Sequence, residues 1–486
     1  MTFSSRSSAP LRRKEFTIRR RQAPCQPTPI PLDFLYAATL SLCFRIARGR
    51  DSNLPLFPLS DACKEGWVLL LPLGDGEVVS YPGTRVWGLV FSTTHWWIHV
   101  DLAWHERSRT SEAKMAVPAA QAGFSPSKGS LRRWLRAARW RHTSVEEARA
   151  AEWRLLTHAG CAFRVEDVKC GDTHEHYMHT VVGGEDTNPT LVCTAGYGAG
   201  LGFFYRNLSF LTQHFRTFAV DLLGCGLSGR PKFEAKNREE AEDFFVDALE
   251  KWRIEQGLED IILLGHSLGG YLSTCYALKY PKHVKKLILV CPAGVDERPK
   301  DYAPRNSYIF KTFRWAWNKG VTPGMIVRFL GPLGPSMCSR YTRSRFANVE
   351  RGWTHGECLP EDTLVSFSEY MYHVLAQKGS GEHALRHLLA PGAWAHAPLQ
   401  SRMDKLNIPI TFVYGEKDWM NWKAGDQICR SKGEENAWLH RIDKSGHYTF
   451  LDRPHDFNNV LTLILQRYQG QHQQAVESMV SSGAMR

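Results

Sequence analysis

Residues 261–281 read IILLGHSLGGYLSTCYALKYP, and this stretch decides the fold. Ile261 to Leu264 form an apolar run of strand length, suited to burial on both faces. Gly269 to Tyr280 suit a helix that Pro281 ends. Between them lies Gly265-His266-Ser267-Leu268-Gly269, with a serine at a sharp strand-to-helix turn. The two flanking glycines let backbones pass where a Cβ would clash. The helix N-terminus offers a favourable field to a developing anion. The five-residue pattern alone is a weak signal; in this strand–turn–helix setting it marks Ser267 as a candidate nucleophile.

The alternation continues on both sides. TLVCTAG (190–196) and FRTFAVDLLG (215–224) read as strands, followed by an acidic helix, NREEAEDFFVDALEKWRIEQG (237–257). LILVCPAG (287–294) and PITFVYGEKD (409–418) read as further strands, and a last helix falls near 454–468. Apolar strands alternating with helices predict an α/β fold: a mostly parallel sheet with helices on both faces, its first part over 165–294 and its second over 405–472. Residues 295–404 interrupt the pattern and are helical in character, as in FKTFRWAWNKG, PGMIVRFLG and EDTLVSFSEYMYHVLAQKG. They predict a helical cap over the C-terminal edge of the sheet, where ligands bind in open α/β folds. Such a cap supplies an apolar roof and excludes water.

The chain order Ser, Asp, His suits this fold. An acid belongs after a later strand, and FVYGEKDWMN puts Asp418 there, with Glu416 and Asp426 as rivals; Asp404 precedes the strand. A histidine belongs last, and WLHRIDKSGHYTF offers His447 after Gly446, with His440 inside the preceding strand. His266, beside the nucleophile, reads as a packing or locally bonded residue. In these roles His447 takes the Ser267 proton, Asp418 holds the imidazole tautomer, and Ser267 becomes acylated. Backbone N–H groups of Leu268 and of Tyr197, in the turn TAGYGAGLG, are the expected oxyanion donors.

The 486 residues allow one large domain with additions. The formal charge is +12, unevenly spread: residues 1–30 hold Arg6, Arg12, Arg13, Lys14, Arg19, Arg20 and Arg21 against Glu15. Residues 1–129 form a poorly patterned basic extension, a targeting or unfolded segment. Residues 130–164 form a basic lead-in. Within it SLRRWLRAARWRH (130–142) presents Trp134, Leu135 and Trp140 for insertion among Arg132, Arg133, Arg136, Arg139 and Arg141. TSVEEARAAEWRLLTH (143–158) reads as a helix capped by Thr143 or Ser144, with Val145, Ala148, Trp153 and Leu156 on its apolar face. Residues 473–486 read as a tail. No apolar run reaches the roughly 18 residues of a spanning helix, so peripheral membrane contact is expected. The twelve cysteines show no metal-site spacing and suit a reducing compartment.

These residues resemble a family. GYGAGLGFFYRN, FAVDLLGCGLSGRPKF, FFVDALEKWR, ILLGHSLGGYLSTCYALKYP, LILVCPAGV, FVYGEKDWMNW and GHYTFLDRPHDF occur in order, with GPLGPSMCSRYTRSRF and YHVLAQKGSGEHAL in the cap. Together they resemble the lipid-acting α/β-hydrolases of the comparative gene identification protein 58 group, most of all the plant form described as a lysophosphatidic acid acyltransferase and phospholipase. The resemblance implies a serine-dependent lipid acyl hydrolase, phospholipase A or triacylglycerol lipase in type. It also implies acyl transfer to lysophosphatidic acid with acyl-CoA as cosubstrate, and no bound cofactor. Glycerophospholipids, lysophosphatidic acid and triacylglycerol are the implied partners, at a membrane or lipid-droplet surface in the cytoplasm or, as in one branch, in mitochondria.

One animal branch carries asparagine where Ser267 stands here. The family's His-Gly before the oxyanion turn is Ala195-Gly196 in this chain. His447 with Asp452, five positions on, matches a His-x4-Asp pattern of glycerolipid acyltransferases; Asp452 alternatively caps the last helix. Arg343 or Arg345 would meet a lysophospholipid phosphate. The competing readings are a lipid-droplet-bound lipase regulator without catalysis and a small-ester serine hydrolase. An epoxide hydrolase would need an aspartate nucleophile. The charge is compatible with nucleic acid, but no recognition motif accompanies it.

Overall fold

Eight strands pair into one sheet: β1 (Arg164–Lys169), β2 (Tyr177–Gly183), β3 (Thr190–Thr194), β4 (Arg216–Val220), β5 (Ile261–His266), β6 (Val284–Val290), β7 (Ile410–Gly415) and β8 (Ala437–Ile442). The computed structural model describes residues 143–298, 308–347 and 356–481. The extension 1–129, the Arg/Trp stretch 130–142 and the end of the tail, 482–486, lie outside the described residues. The strand order is β1-β2-β4-β3-β5-β6-β7-β8. β2 pairs antiparallel with β1 and β4, and every pair from β4 to β8 is parallel.

Among the described residues ten longer helices accompany the sheet: α1 (Val145–Leu156), α2 (Tyr205–His214), α3 (Arg238–Glu255), α4 (Leu268–Lys279), α5 (Tyr308–Asn318), α6 (Pro323–Leu330), α7 (Gly334–Phe346), α8 (Glu361–Ala376), α9 (Trp422–Lys432) and α10 (Pro454–Ser481). α5 to α8 all lie between β6 and β7. The central strands are apolar throughout because both faces are covered. Ile261 and Leu263 pack with Phe245 and Trp252 of α3, Tyr271 and Tyr276 of α4 and Ile428 of α9. Ile262 and Leu264 face the other way, toward Leu155 of α1, Leu208 of α2 and Leu461 of α10. Truncating any of these four strand residues to alanine is expected to cost about 2–5 kcal/mol.

α1 forms with Ser144 as its cap, the Oγ accepting from Glu147 N–H at 3.2 Å. Its rotation differs from the one the periodicity gives. Val145 and Trp153 are exposed, while Ala148, Ala151, Glu152, Leu155 and Leu156 are buried. The cause is polar. Glu152 Oε2 meets His179 Nε2 of β2 at 2.6 Å, and His179 Nδ1 meets Asp167 of β1 at 2.6 Å. A buried carboxylate with no partner costs more than exposing one tryptophan, so the ion pair sets the roll. At the other end of the chain α10 runs past residue 468 to Ser481, through the helix-favouring segment QQAVESM.

The chain order places the crevice. From β3 it moves outward to β4, then returns to β5 on the other side of β3, so the loops after β3 and β5 diverge. Such a switch point at the carboxyl ends of parallel strands is where ligands bind in open α/β sheets.

Candidate active site

Ser267 is the residue between β5 and α4, with φ 55° and ψ −118°. A non-glycine residue held there stores of order 1–3 kcal/mol of strain. Three backbone bonds over-determine it: Ser267 N–H donates to Val290 O at 3.0 Å, while Ser267 O accepts from Ala293 N–H at 3.0 Å and Tyr271 N–H at 3.2 Å. The glycines make this approach feasible. A Cβ on Gly265 would lie 2.6 Å from Gly269 O, and one on Gly269 would lie 2.6 Å from Ala195 O.

His447 Nε2 lies 2.9 Å from Ser267 Oγ, and His447 Nδ1 lies 2.9 Å from Asp418 Oδ1. A carboxylate only accepts, so Nδ1 carries the proton and Nε2 is left as the acceptor for the serine hydroxyl. The Asp418 side chain is 2% exposed and that of His447 10%. The loops after β7 and β8 interlock: Lys417 N–H donates to Ser445 O at 2.8 Å, and Asp418 Oδ1 also accepts from Met420 N–H at 3.2 Å. The rivals lie elsewhere. Glu416 accepts from Lys444 N–H at 3.0 Å, Asp426 pairs with Arg430 at 2.8 Å on α9, and Asp404 precedes β7. His440 sits mid-strand opposite Val413.

The turn after β3 runs directly against the elbow. A Cβ on Gly196 would sit 2.8 Å from Ser267 Cβ. That closeness sets the backbone of the Gly196–Tyr197 turn beside the Ser267 side chain. Asp221 at the end of β4 holds the far side of the turn, its carboxylate accepting from Leu201 N–H at 2.7 Å and Leu227 N–H at 2.8 Å. Tyr370 of α8 accepts from Gly202 N–H at 3.2 Å, and Tyr197 OH accepts from Gly324 N–H of α6 at 3.0 Å. The cap is thereby fastened to the turn at two points.

Asp452 neither bonds the imidazole nor caps α10. Its Oδ2 accepts from Gly446 N–H at 2.7 Å and from Arg345 Nη2 of α7 at 2.7 Å, with the carboxylate wholly buried. It lies at the end of a short helical turn, Thr449–Asp452, one residue short of the position that would cap Pro454. Arg345 is thus spent on Asp452, and Arg343 is paired with Glu361 at the surface. Arg345 Nη1 is buried without a hydrogen-bond partner, whereas the Arg343 side chain is 46% exposed.

His266, expected to pack or bond locally, instead bonds a distant residue, and Cys291 carries no signal in the sequence pattern. His266 donates to the backbone oxygen of His447. Cys291, the residue after β6, sits beside Asp418, and burial, then the Asp418 charge, pushes its thiol well up. Cys291, Asp418 and His447 bring their ligand atoms within 4.8 Å of one another. Asp418 and His447 in this group are hydrogen-bonded to each other. Trp419, 45% exposed, lies with its ring 5.2 Å from that of His447, and the adjacent Tyr448 packs against the buried Phe203 and Phe346.

A sequence profile described as alpha/beta hydrolase fold matches residues 189–323. A rice protein named probable 1-acylglycerol-3-phosphate O-acyltransferase is 37% identical over 359 residues, covering 69% of this chain and 86% of its own. The 1-acylglycerol-3-phosphate O-acyltransferase of Arabidopsis thaliana is 36% identical, covering 69% and 84%. A human (lyso)-N-acylphosphatidylethanolamine lipase is 33% identical, covering 66% and 91%. The chain belongs to the α/β-hydrolase family. Within it, this protein is a relative of the plant and animal lipid acyltransferases and lipases, and a lipid-acting member of that superfamily.

Proposed function

We propose that the protein is a serine-dependent acyl hydrolase of glycerolipid esters, phospholipase A or triacylglycerol lipase in type. We further propose that it transfers acyl groups from acyl-CoA to lysophosphatidic acid. The observation that carries this reading is the aligned chain Ser267 Oγ, His447 Nε2, His447 Nδ1, Asp418 Oδ1, with both contacts at 2.9 Å.

In this scheme His447 Nε2 takes the hydroxyl proton as Ser267 Oγ adds to the ester carbonyl carbon. The oxyanion is met by the N–H groups of Leu268 and Tyr197, each such donor contributing about 3 kcal/mol to the transition state. Collapse breaks the bond to the glycerol oxygen, which leaves with the proton from His447, and Ser267 is acylated. Water, deprotonated by His447, then releases the fatty acid. If lysophosphatidic acid occupies the water's place, its hydroxyl gives phosphatidic acid; acyl-CoA as donor releases the thiol in the first step. Transfer through acyl-Ser267 needs nothing of Asp452, whose oxygen is already engaged by Gly446 and Arg345.

The names of the relatives support a glycerolipid substrate class. No helix among the described residues is long and apolar enough to cross a membrane, and we place the protein peripherally, on a membrane or lipid droplet facing the cytoplasm. The non-catalytic regulator reading has no use for an intact, aligned triad. The test is purified wild type and Ser267→Ala with labelled phospholipids, then with acyl-CoA and lysophosphatidic acid. Fatty acid and phosphatidic acid from wild type alone are expected. Product from folded Ser267→Ala would overturn the nucleophile assignment.

A further inference from the structure

We propose that the outward faces of α5 and α6 in the cap form a docking surface for an anionic phospholipid surface. The proposal extends the glycerolipid reading to the place where substrate is taken up, and rests on that reading only for why a lipid surface is approached.

The charge pattern is one-sided. Residues 308–347 contain Lys311, Arg314, Lys319, Arg328, Arg340, Arg343 and Arg345 and no aspartate or glutamate. Arg328, Arg343 and Arg345 are neutralised from outside the segment by Glu382, Glu361 and Asp452. Lys311, Arg314, Lys319 and Arg340 are exposed and make no ion pair among the described residues.

The apolar pattern accompanies it. On α5 and its end the exposed positions are Lys311, Arg314, Trp315, Asn318 and Lys319, spaced as one helical face. The opposite face is buried at Ala316, which packs against Ile326 of α6. On α6 and the turn after it, Met325, Phe329 and Leu333 follow at four-residue intervals and are 37%, 69% and 64% exposed; Trp315 is 52% exposed. Large apolar side chains are rarely left in a row on a surface that meets only water. Interleaved with unpaired cations they match the interfacial pattern: rings and aliphatics at the acyl boundary, ammonium and guanidinium groups on lipid phosphates. Beside this face lies a groove of about 570 Å³ whose walls include Lys319, Met325, Phe233, Lys236 and Arg386. Its three cations, Lys319, Lys236 and Arg386, outnumber its one carboxylate, Glu234, so the groove carries the same sign of charge as the docking face.

The test is vesicle flotation of the full chain on phosphatidylcholine, with and without phosphatidic acid. Two variants change the cap face, Phe329→Ser/Leu333→Ser and Lys311→Gln/Arg314→Gln/Lys319→Gln. A third neutralises the arginines of 130–142. The apolar double is expected to weaken binding to both vesicle types about tenfold. Each lost cation should weaken only anionic-vesicle binding, about fivefold. Turnover of a soluble short-chain ester should be unchanged, since none of these residues touches the triad. Cap variants that float like wild type, with all loss in the 130–142 variant, would overturn the proposal. So would a wild-type dimer that the apolar double converts to monomer without loss of flotation, which would make a second copy the occupant. If wild type hydrolyses no ester yet floats in the predicted pattern, the hydrolase reading fails and the docking surface stands.

Discussion

His266 Nε2 lies 2.9 Å from the backbone oxygen of His447. A carbonyl oxygen only accepts, so Nε2 carries a proton. Burial, then electrostatic coupling to the adjacent His447 ring, holds the His266 pKa well below its ordinary value, which favours the neutral ring. The residue beside the proposed nucleophile thus steadies the backbone of the candidate base. His266→Phe fills the same space without the donor. Its labelling by a fluorophosphonate is expected to slow about tenfold, which corresponds to about 1.4 kcal/mol. A rate equal to wild type in a folded variant would show the bond to be idle.

Gly196 bears on the oxyanion turn. A Cβ there would lie 2.8 Å from Ser267 Cβ and 3.1 Å from His266 Nδ1. Gly196→Ala should push the turn away from the elbow and displace the Tyr197 N–H. If that donor is lost, kcat on a soluble ester falls by about 10²-fold with little change in KM. A kcat within twofold of wild type would remove this turn from the oxyanion site.

Arg345 and Asp452 form a buried pair between cap and core, with side-chain exposures of 11% and 0%. Arg345→Met strands a carboxylate in the interior and should cost about 3–5 kcal/mol. Arg345→Met/Asp452→Leu removes both charges, and most of that stability should return. Denaturant unfolding of the two variants decides. A single variant as stable as wild type would show that the pair does not brace the cap. The His-x4-Asp scheme makes a separate demand: Asp452→Asn would abolish acyl transfer while sparing hydrolysis. Here both activities should change by the same factor.

His179 gives stability a pH dependence. Burial lowers its pKa, but the hydrogen bonds its ring donates to Asp167 and Glu152, with the charges of Glu152 and Asp221, outweigh that and raise it from 6.5 to about 10. The folded state therefore holds this proton more tightly than the unfolded chain. The contribution is complete below about pH 6.5 and fades as pH rises toward 10. Arg149, paired with Asp167, and Asp221 also face the cluster. Wild type should lose more melting temperature between pH 7 and 9.5 than His179→Gln does. Parallel losses in the two would place the alkaline sensitivity elsewhere.

The sequence by itself determined the sheet, the elbow and the order of the site. Those features are local or sequential: four apolar residues, a turn that only glycine at 265 and 269 accommodates, and a helix, followed later by an acid and a histidine each just past a strand. β1 was not legible because Arg164–Lys169 is largely exposed and lacks the apolar run of a central strand, and β2 was not because the buried Tyr177–Gly183 is broken by the polar His179 and Thr180. Only the tertiary structure decided how α1 is rolled, since Val145 and Trp153 fit the helical period as well as the residues that are buried. The deciding partner, His179, lies 27 positions from Glu152. The same holds for Asp452. Its spacing from His447 allowed a catalytic or a capping role, and what it does is set by Arg345, 107 positions earlier. His266 and His447 are 181 positions apart. Periodicity and motif spacing describe what neighbours along the chain can share. A buried charge or an unpaired backbone oxygen is satisfied by whatever the folded chain brings within 3 Å, and that follows from packing.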